Sequence, residues 1–162
     1  MTAAHDVHAE TNPAFCAAVL AKFCEAHHEG HHEGHEHDPA LPVAYLVLPI
    51  ALSEDLAETF EGCNKNTGML VWIERNPRIV ANLSTRVNGT LKISTDAIRF
   101  GCISGVLHLD EEGNIVSGNK KIPPSAMKGP SGHAFTRARL LGCWFASAGS
   151  ARAVMEAMGV SV

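Results

Sequence analysis

Neither of the glycine-rich loops that cradle nucleotide phosphates occurs in this chain of 162 residues: there is no GxxxxGK[ST] and no GxGxxG. Nucleotide hydrolysis therefore has no recognisable phosphate seat here. No Ser/His/Asp or Cys/His grouping can be assembled either. The isolated histidines His108 and His133 fall in a hairpin and at the head of a helix, where a solvated side chain is the default. CxxC pairs are missing, and the five cysteines (Cys16, Cys24, Cys63, Cys102, Cys143) are an odd number set mostly in apolar runs. They read as small buried hydrophobes of a reducing compartment rather than a disulfide framework. No apolar run reaches membrane-spanning length, and the opening "MTAAHDVHAE" has neither the charged nor the apolar region of a signal peptide. The expectation is a soluble cytoplasmic protein with no membrane association. Positive charge is not in excess: 13 basic and 17 acidic residues give a formal −4, which argues against broad nucleic-acid binding.

What is present suffices for one domain. The chain is long enough to bury a core without staples, and 46% of it is hydrophobic, an ordinary globular share. The expected boundaries are a single domain over 1–162, with a tail at 1–10 and a histidine-rich flexible insertion at 27–39. "NPAFCAAVLAKFCEAHHE" predicts a helix with Asn12 as cap and Pro13 at its first position, fading near His28. The uninterrupted apolar run at 43–48, closed by Pro49, predicts a short strand covered on both faces, or one covered by a partner protein. Ser53 opens a short helix ending near Gly62, and "NTGMLVWIER" is another, stopped by Asn76-Pro77, where Asn76 caps the next. That next helix is expected to stop at Asn88-Gly89, with a separate one opening at Ser94 or Thr95. Leu107 and Leu109, then Ile115 and Val116, form a hairpin about Glu112-Gly113-Asn114. After a proline- and lysine-rich loop, "HAFTRARLLGCWFASAG" is a strong helix ending at Gly149, and Ser150 caps a last one ending at Gly159. The fold class expected is α+β: a mostly helical single domain with a winged-helix-like helix–helix–hairpin segment.

The histidines at 27–37 ("HHEGHHEGHEH") invite a metal. His27, His28, His31, His32, His35 and His37 with intervening carboxylates suit zinc, nickel or copper. A required site, however, needs a few fixed ligands on rigid elements, and this near repeat contains Gly30 and Gly34, so many ligand sets are almost equivalent. The reading is weak, adventitious metal affinity on a solvated connector, with no cofactor required.

A winged helix would raise direct DNA reading, yet the helix before the hairpin offers only Arg99, and the tip of the wing is acidic, "DEEG". Lys120, Lys121 and Lys128 make only a loop positive. Trp144-Phe145 with Leu140 and Leu141 gives the long helix more apolar surface than one stripe needs. Tyr45, Leu46, Val47 and Leu48, with Trp144 and Phe145, are therefore expected either to form or directly to support a partner-binding face, a core role being equally open for each.

Four stretches together carry a family likeness: "NPAFCAAVLAKF", "YLVLPIAL", "AIRFGCISGVLHLDEEGNIV" and above all "ARLLGCWFASAGSARAVMEAMGV". In this order, over nearly the whole chain except 1–10 and the histidine insertion, the sequence resembles the middle component of bacterial three-component ABC systems, which include the Lamassu type of anti-phage defence. The resemblance implies a non-catalytic accessory subunit linking an SMC/Rad50-like ABC ATPase to an effector, often a nuclease. ATP hydrolysis and DNA cutting would then belong to other chains, and DNA would be met only through the complex. The histidine run departs from the family pattern. Two other readings stay open: a winged-helix DNA-binding regulator and a histidine-rich metal-binding protein.

Overall fold

The computed structural model describes residues 12–30 and 37–160. Its elements are α1 (Pro13–Glu29), α2 (Leu41–Ala44), α3 (Val47–Ala51), a 3-10 helix (Glu54–Phe60), α4 (Met69–Arg75), α5 (Arg78–Ser104), β1 (Leu107–Leu109), β2 (Ile115–Ser117), a second 3-10 turn (Pro124–Met127), α6 (Gly132–Ser147) and α7 (Ala151–Ala157). The two strands form an antiparallel hairpin in which His108 faces Val116. The architecture among the described residues is thus mostly helical with one small sheet.

Helix α1 begins as its sequence demands. The Asn12 side chain accepts from the Ala14 N–H at 2.9 Å, and Pro13 takes the first helical position, where its missing N–H costs nothing. Cys16, Ala17, Val19, Leu20, Ala21, Phe23, Cys24 and Ala26 are all buried, and they cover more than half of the helix circumference. A helix apolar around most of its girth belongs in the centre, and α1 packs against α3, α5, α6 and the hairpin. Its tightest neighbour is α6. A Cβ on Gly142 would meet the Phe23 carbonyl oxygen at 2.5 Å, and one on Gly30 would meet Ala146 Cβ at 3.1 Å. Small residues thus let the two backbones approach, while Phe15–Phe135 and Phe23–Phe145 stack edge to face at 5.4 and 5.8 Å on either side.

Two expectations are overturned. Residues 43–48 form no strand: α2 and α3 occupy the region, and every residue there except Tyr45 is buried. An apolar run covered on all sides has no period to distinguish helix from strand. Pro49 is tolerated because it sits in the first turn of α3, whose N–H groups have no intrahelical acceptor. Nor does a helix end at Asn88-Gly89; α5 runs unbroken for 27 residues. Its inward stripe of Leu83, Val87, Thr90, Ser94, Ala97 and Gly101 keeps its three- and four-residue spacing straight across the pair. Thr95, expected near a new cap, instead donates its hydroxyl to the Leu91 carbonyl at 2.8 Å. Two helices of the expected winged-helix-like segment are therefore one rod, while α4 before it and the hairpin after it keep their expected places.

Smaller differences follow local chemistry. The Asn76 amide turns back to the Trp72 carbonyl at 3.0 Å rather than capping α5. Ser53 donates to the Pro49 carbonyl at 2.6 Å, and the segment after it is a 3-10 helix. The last cap is as expected, with Ser150 Oγ accepting from the Ala153 N–H at 3.1 Å. In the hairpin turn, Asp110 accepts from the Glu112 and Asn114 N–H groups at 2.9 and 2.8 Å. These donors, Asn114 first, hold its carboxyl below the usual range. The Ile115 N–H donates to the Pro39 carbonyl at 2.9 Å and the Leu41 N–H to the Gly113 carbonyl at 3.1 Å, so the hairpin is stitched to the chain entering α2.

Candidate functional site

The residues singled out for a partner face lie mostly inside. Leu46, Val47, Leu48, Trp144 and Phe145 are all buried, and only Tyr45 is partly open. Its hydroxyl lies 3.1 Å from Thr95 Oγ1, tying the α2–α3 junction to α5. Of the roles expected of them, the core role is the one that the burial of these five side chains shows.

Trp144 shows how tightly that core is held. Its ring lies parallel to Phe60 at 6.0 Å and tilted against Trp72 at 5.2 Å. Both indoles are satisfied: Trp144 Nε1 donates to the Asn64 carbonyl at 3.0 Å, and Trp72 Nε1 to the Thr59 carbonyl at 3.1 Å. Three aromatic rings and two hydrogen bonds fasten the end of the 3-10 helix and the loop after it onto α4 and α6. Trp144 also forms the floor of an apolar groove of about 450 Å³, walled by Met69, Leu70 and Val71 of α4, Ala148, and Ala153 and Ala157 of α7. Leu70 is 68% exposed on its rim. Periodicity does not pick out Leu70 and Val71 as functional. The signal is that Met69, Trp72 and Ile73 already complete the inward stripe of α4, which leaves two large apolar residues facing out.

The histidines divide. His27 is buried in the last turn of α1 against Phe23, with ring centroids 5.9 Å apart. His28 is exposed, its Nδ1 3.3 Å from an Asp38 carboxylate oxygen. His37 and Asp38 line, with His27, a cavity of about 230 Å³ between α1, the hairpin turn and α7. His31, His32 and His35 lie outside the described residues. Among the described residues, no three histidine, cysteine or acidic side chains are arranged to hold a metal ion. His108 and His133 are exposed, as expected.

The thiols and charges are arranged for structure. No disulfide joins any of the five cysteines. Burial pushes the Cys24, Cys102 and Cys143 thiols up, away from the thiolate that a nucleophile needs. Arg137, buried within α6, donates to the Ala51 carbonyl and to Glu54, both at 3.1 Å, and so pins the end of α3. Arg86 grips Asp55 through two N–H groups and also donates to Ser53 Oγ at 3.0 Å. The grip holds the Asp55 carboxyl below its ordinary range and raises the Arg86 guanidinium.

The apolar groove and the exposed apolar side chains suit contact with other chains. A family model for Middle Component 3 of ABC-three component (ABC-3C) systems matches residues 3–162. The chain belongs to that family. No curated protein and no solved structure matches it. As a Middle Component 3 it is one part of a multi-component system, so other components of that system are its partners. The match runs through the histidine-rich segment as well as the helices. No helix among the described residues is long and apolar enough to cross a membrane.

Proposed function

We propose that this Middle Component 3 is a non-catalytic adaptor. It joins an SMC/Rad50-like ABC ATPase to an effector, often a nuclease, in a cytoplasmic anti-phage or anti-plasmid defence complex of the Lamassu kind. It meets DNA only through that complex. The observation that carries the reading is the family match over residues 3–162. The interior supports it: arginine and indole donors are spent on backbone carbonyls that fix loops, and the three thiols with shifted values are pushed away from reactivity. The partner face on this reading is the groove between α4, α6 and α7, with Leu70 and Val71 in contact and Trp144, Phe145, Leu46, Val47 and Leu48 holding it from below.

DNA reading by the chain itself is disfavoured by the acidic hairpin tip, Asp110, Glu111 and Glu112. A defining metal is disfavoured because His27 is used as a core residue beside Phe23. The test is enzymatic and physical together. Purified alone, the chain is expected to hydrolyse no ATP and cut no DNA, and to capture the ATPase of its own system. Leu70→Asp is expected to weaken that capture without lowering the melting temperature. Turnover by the isolated chain that a point substitution here abolishes would overturn the adaptor role.

A further inference from the structure

We propose that the C-terminal end of α5 is a second docking surface, for an acidic amphipathic segment of another component of the system. This rests on the adaptor reading and extends it to a separate face. For most of its length the exposed side of α5 is largely polar, with Arg78, Asn82, Thr85, Asn88 and Lys92 exposed, and Leu91, 50% exposed at its flank, stands alone among them. In the last two turns it changes character: Phe100 is 41% exposed and Ile103 is 88% exposed. At a spacing of three residues the two side chains are neighbours on the helix surface. An isoleucine so exposed covers little among the described residues, and burying such a pair is what apolar association rewards.

Cations rim this patch. Arg99 is exposed on the turn that carries Phe100, and Lys120 and Lys121 are exposed on the segment after the hairpin. That segment is clamped to the helix end: the Lys120 N–H donates to the carbonyl of Gly105, the cap of α5, at 3.1 Å, and the Gly118 N–H to the Val106 carbonyl at 2.8 Å. None of Arg99, Lys120 and Lys121 has an ion-pair partner among the described residues. The acid nearest along the helix, Asp96, is taken by Lys92. The acidic hairpin tip lies at the opposite end of the strands from the lysines. Three unpaired cations around two large apolar side chains, on a chain of net charge −4, complement carboxylates flanking large apolar residues. A nucleic-acid backbone would match the cations and leave Phe100 and Ile103 without a partner.

The position suits a linker. A Cβ on Gly159, just past α7, would meet Val80 Cγ1 at 2.8 Å, so the groove beside α7 adjoins the start of α5. The patch is at the other end of a helix about 40 Å long. One rod therefore separates the two faces.

The test uses the full chain and the other purified components of its own system, with affinity measured by interferometry at low and physiological salt. Ile103→Asp, Phe100→Asp and the triple reversal Arg99→Glu/Lys120→Glu/Lys121→Glu are expected to weaken binding to one component about tenfold or more. Binding of that component is expected to fall with salt, and the melting temperature of each variant to stay that of the wild type. Thr85→Asp, on the polar stretch of the same face, is expected to change nothing. Unchanged affinity for every component in Ile103→Asp and Phe100→Asp overturns the surface assignment while leaving the adaptor reading intact. A triple reversal that abolishes binding of a double-stranded DNA probe and spares the proteins assigns the patch to nucleic acid and equally overturns the proposal. A wild-type chain that binds no component overturns the adaptor reading, and this inference with it.

Discussion

Helices α1 and α5 make the same kind of secondary structure for different ends. In α1, nine of 17 residues are buried; in α5, six of 27 are. The first is gripped from several sides and can change little, since any enlarged or lost side chain meets packed neighbours. The second touches the core along one stripe and leaves a long exposed side, largely polar apart from Leu91 and with two large apolar residues, Phe100 and Ile103, together near its end. Stability is concentrated where α1 meets α6, and surface available for partners is concentrated on α5 and on the rim of the α4–α7 groove.

Substitutions can break that contrast or sharpen it. The largest effect is expected at Trp144, whose truncation to alanine removes a fully buried indole and its bond to Asn64. Trp144→Ala should cost about 3–5 kcal/mol in chemical denaturation. A pure surface role would leave the denaturation midpoint in place. Next comes Gly142→Ala, where the new methyl lands 2.5 Å from the Phe23 carbonyl and 2.9 Å from Ala26 Cβ; a loss of about 1–3 kcal/mol is expected. The identical change on α5 should have the opposite sign. A methyl added at Gly89 would meet nothing within 4 Å, so Gly89→Ala should stabilise by about 0.5–1 kcal/mol through helix propensity alone. A destabilised Gly89→Ala would mean that this part of α5 is covered or not helical in solution.

A smaller effect concerns pH. The Asp55 carboxyl is lowered in the fold by its hydrogen bonds to Arg86. Its contribution to stability is therefore present above the unfolded value of about 4 and is lost as pH falls through the lower folded value. Because the carboxylate side chain is 64% exposed, solvent screening limits Asp55→Asn to a few tenths of a kcal/mol at neutral pH. The difference from wild type should vanish in acid melts. The smallest effect is expected at 31–36: a glycine-serine linker of equal length there should leave the midpoint within about 0.5 kcal/mol. Such a replacement has to spare His27, which is part of the packed end of α1.

Helices α1, α6 and α7 and the hairpin were legible because each carries a boundary residue with one physical use. Asn12 and Ser150 cap, Pro13 starts, and Gly113 takes the positive φ of the hairpin turn. Two regions misled for the same reason: a local signal outvoted a longer pattern. Pro49 argued against helix but lies in a first turn, where it breaks nothing. Asn88-Gly89 argued for a stop, but the inward stripe from Leu83 to Gly101 runs through it unbroken, and packing against α1 decides. Of the proposed partner surface, the sequence pointed to Trp144, which lies beneath the groove, rather than to Leu70, Val71, Phe100 and Ile103, which face out. Exposure of an apolar residue depends on which stripe of its helix the rest of the molecule covers, and no single-helix pattern contains that.

The central claim, that this Middle Component 3 joins other components rather than reacting itself, is tested most directly by reconstitution. The ATPase and the effector of the same system would be mixed with and without the full chain, and the masses of the resulting assemblies measured by light scattering after gel filtration. The adaptor account predicts one assembly holding all three when the chain is present, and separate ATPase and effector when it is left out. An ATPase–effector assembly of unchanged mass and stability in the absence of the chain would contradict it.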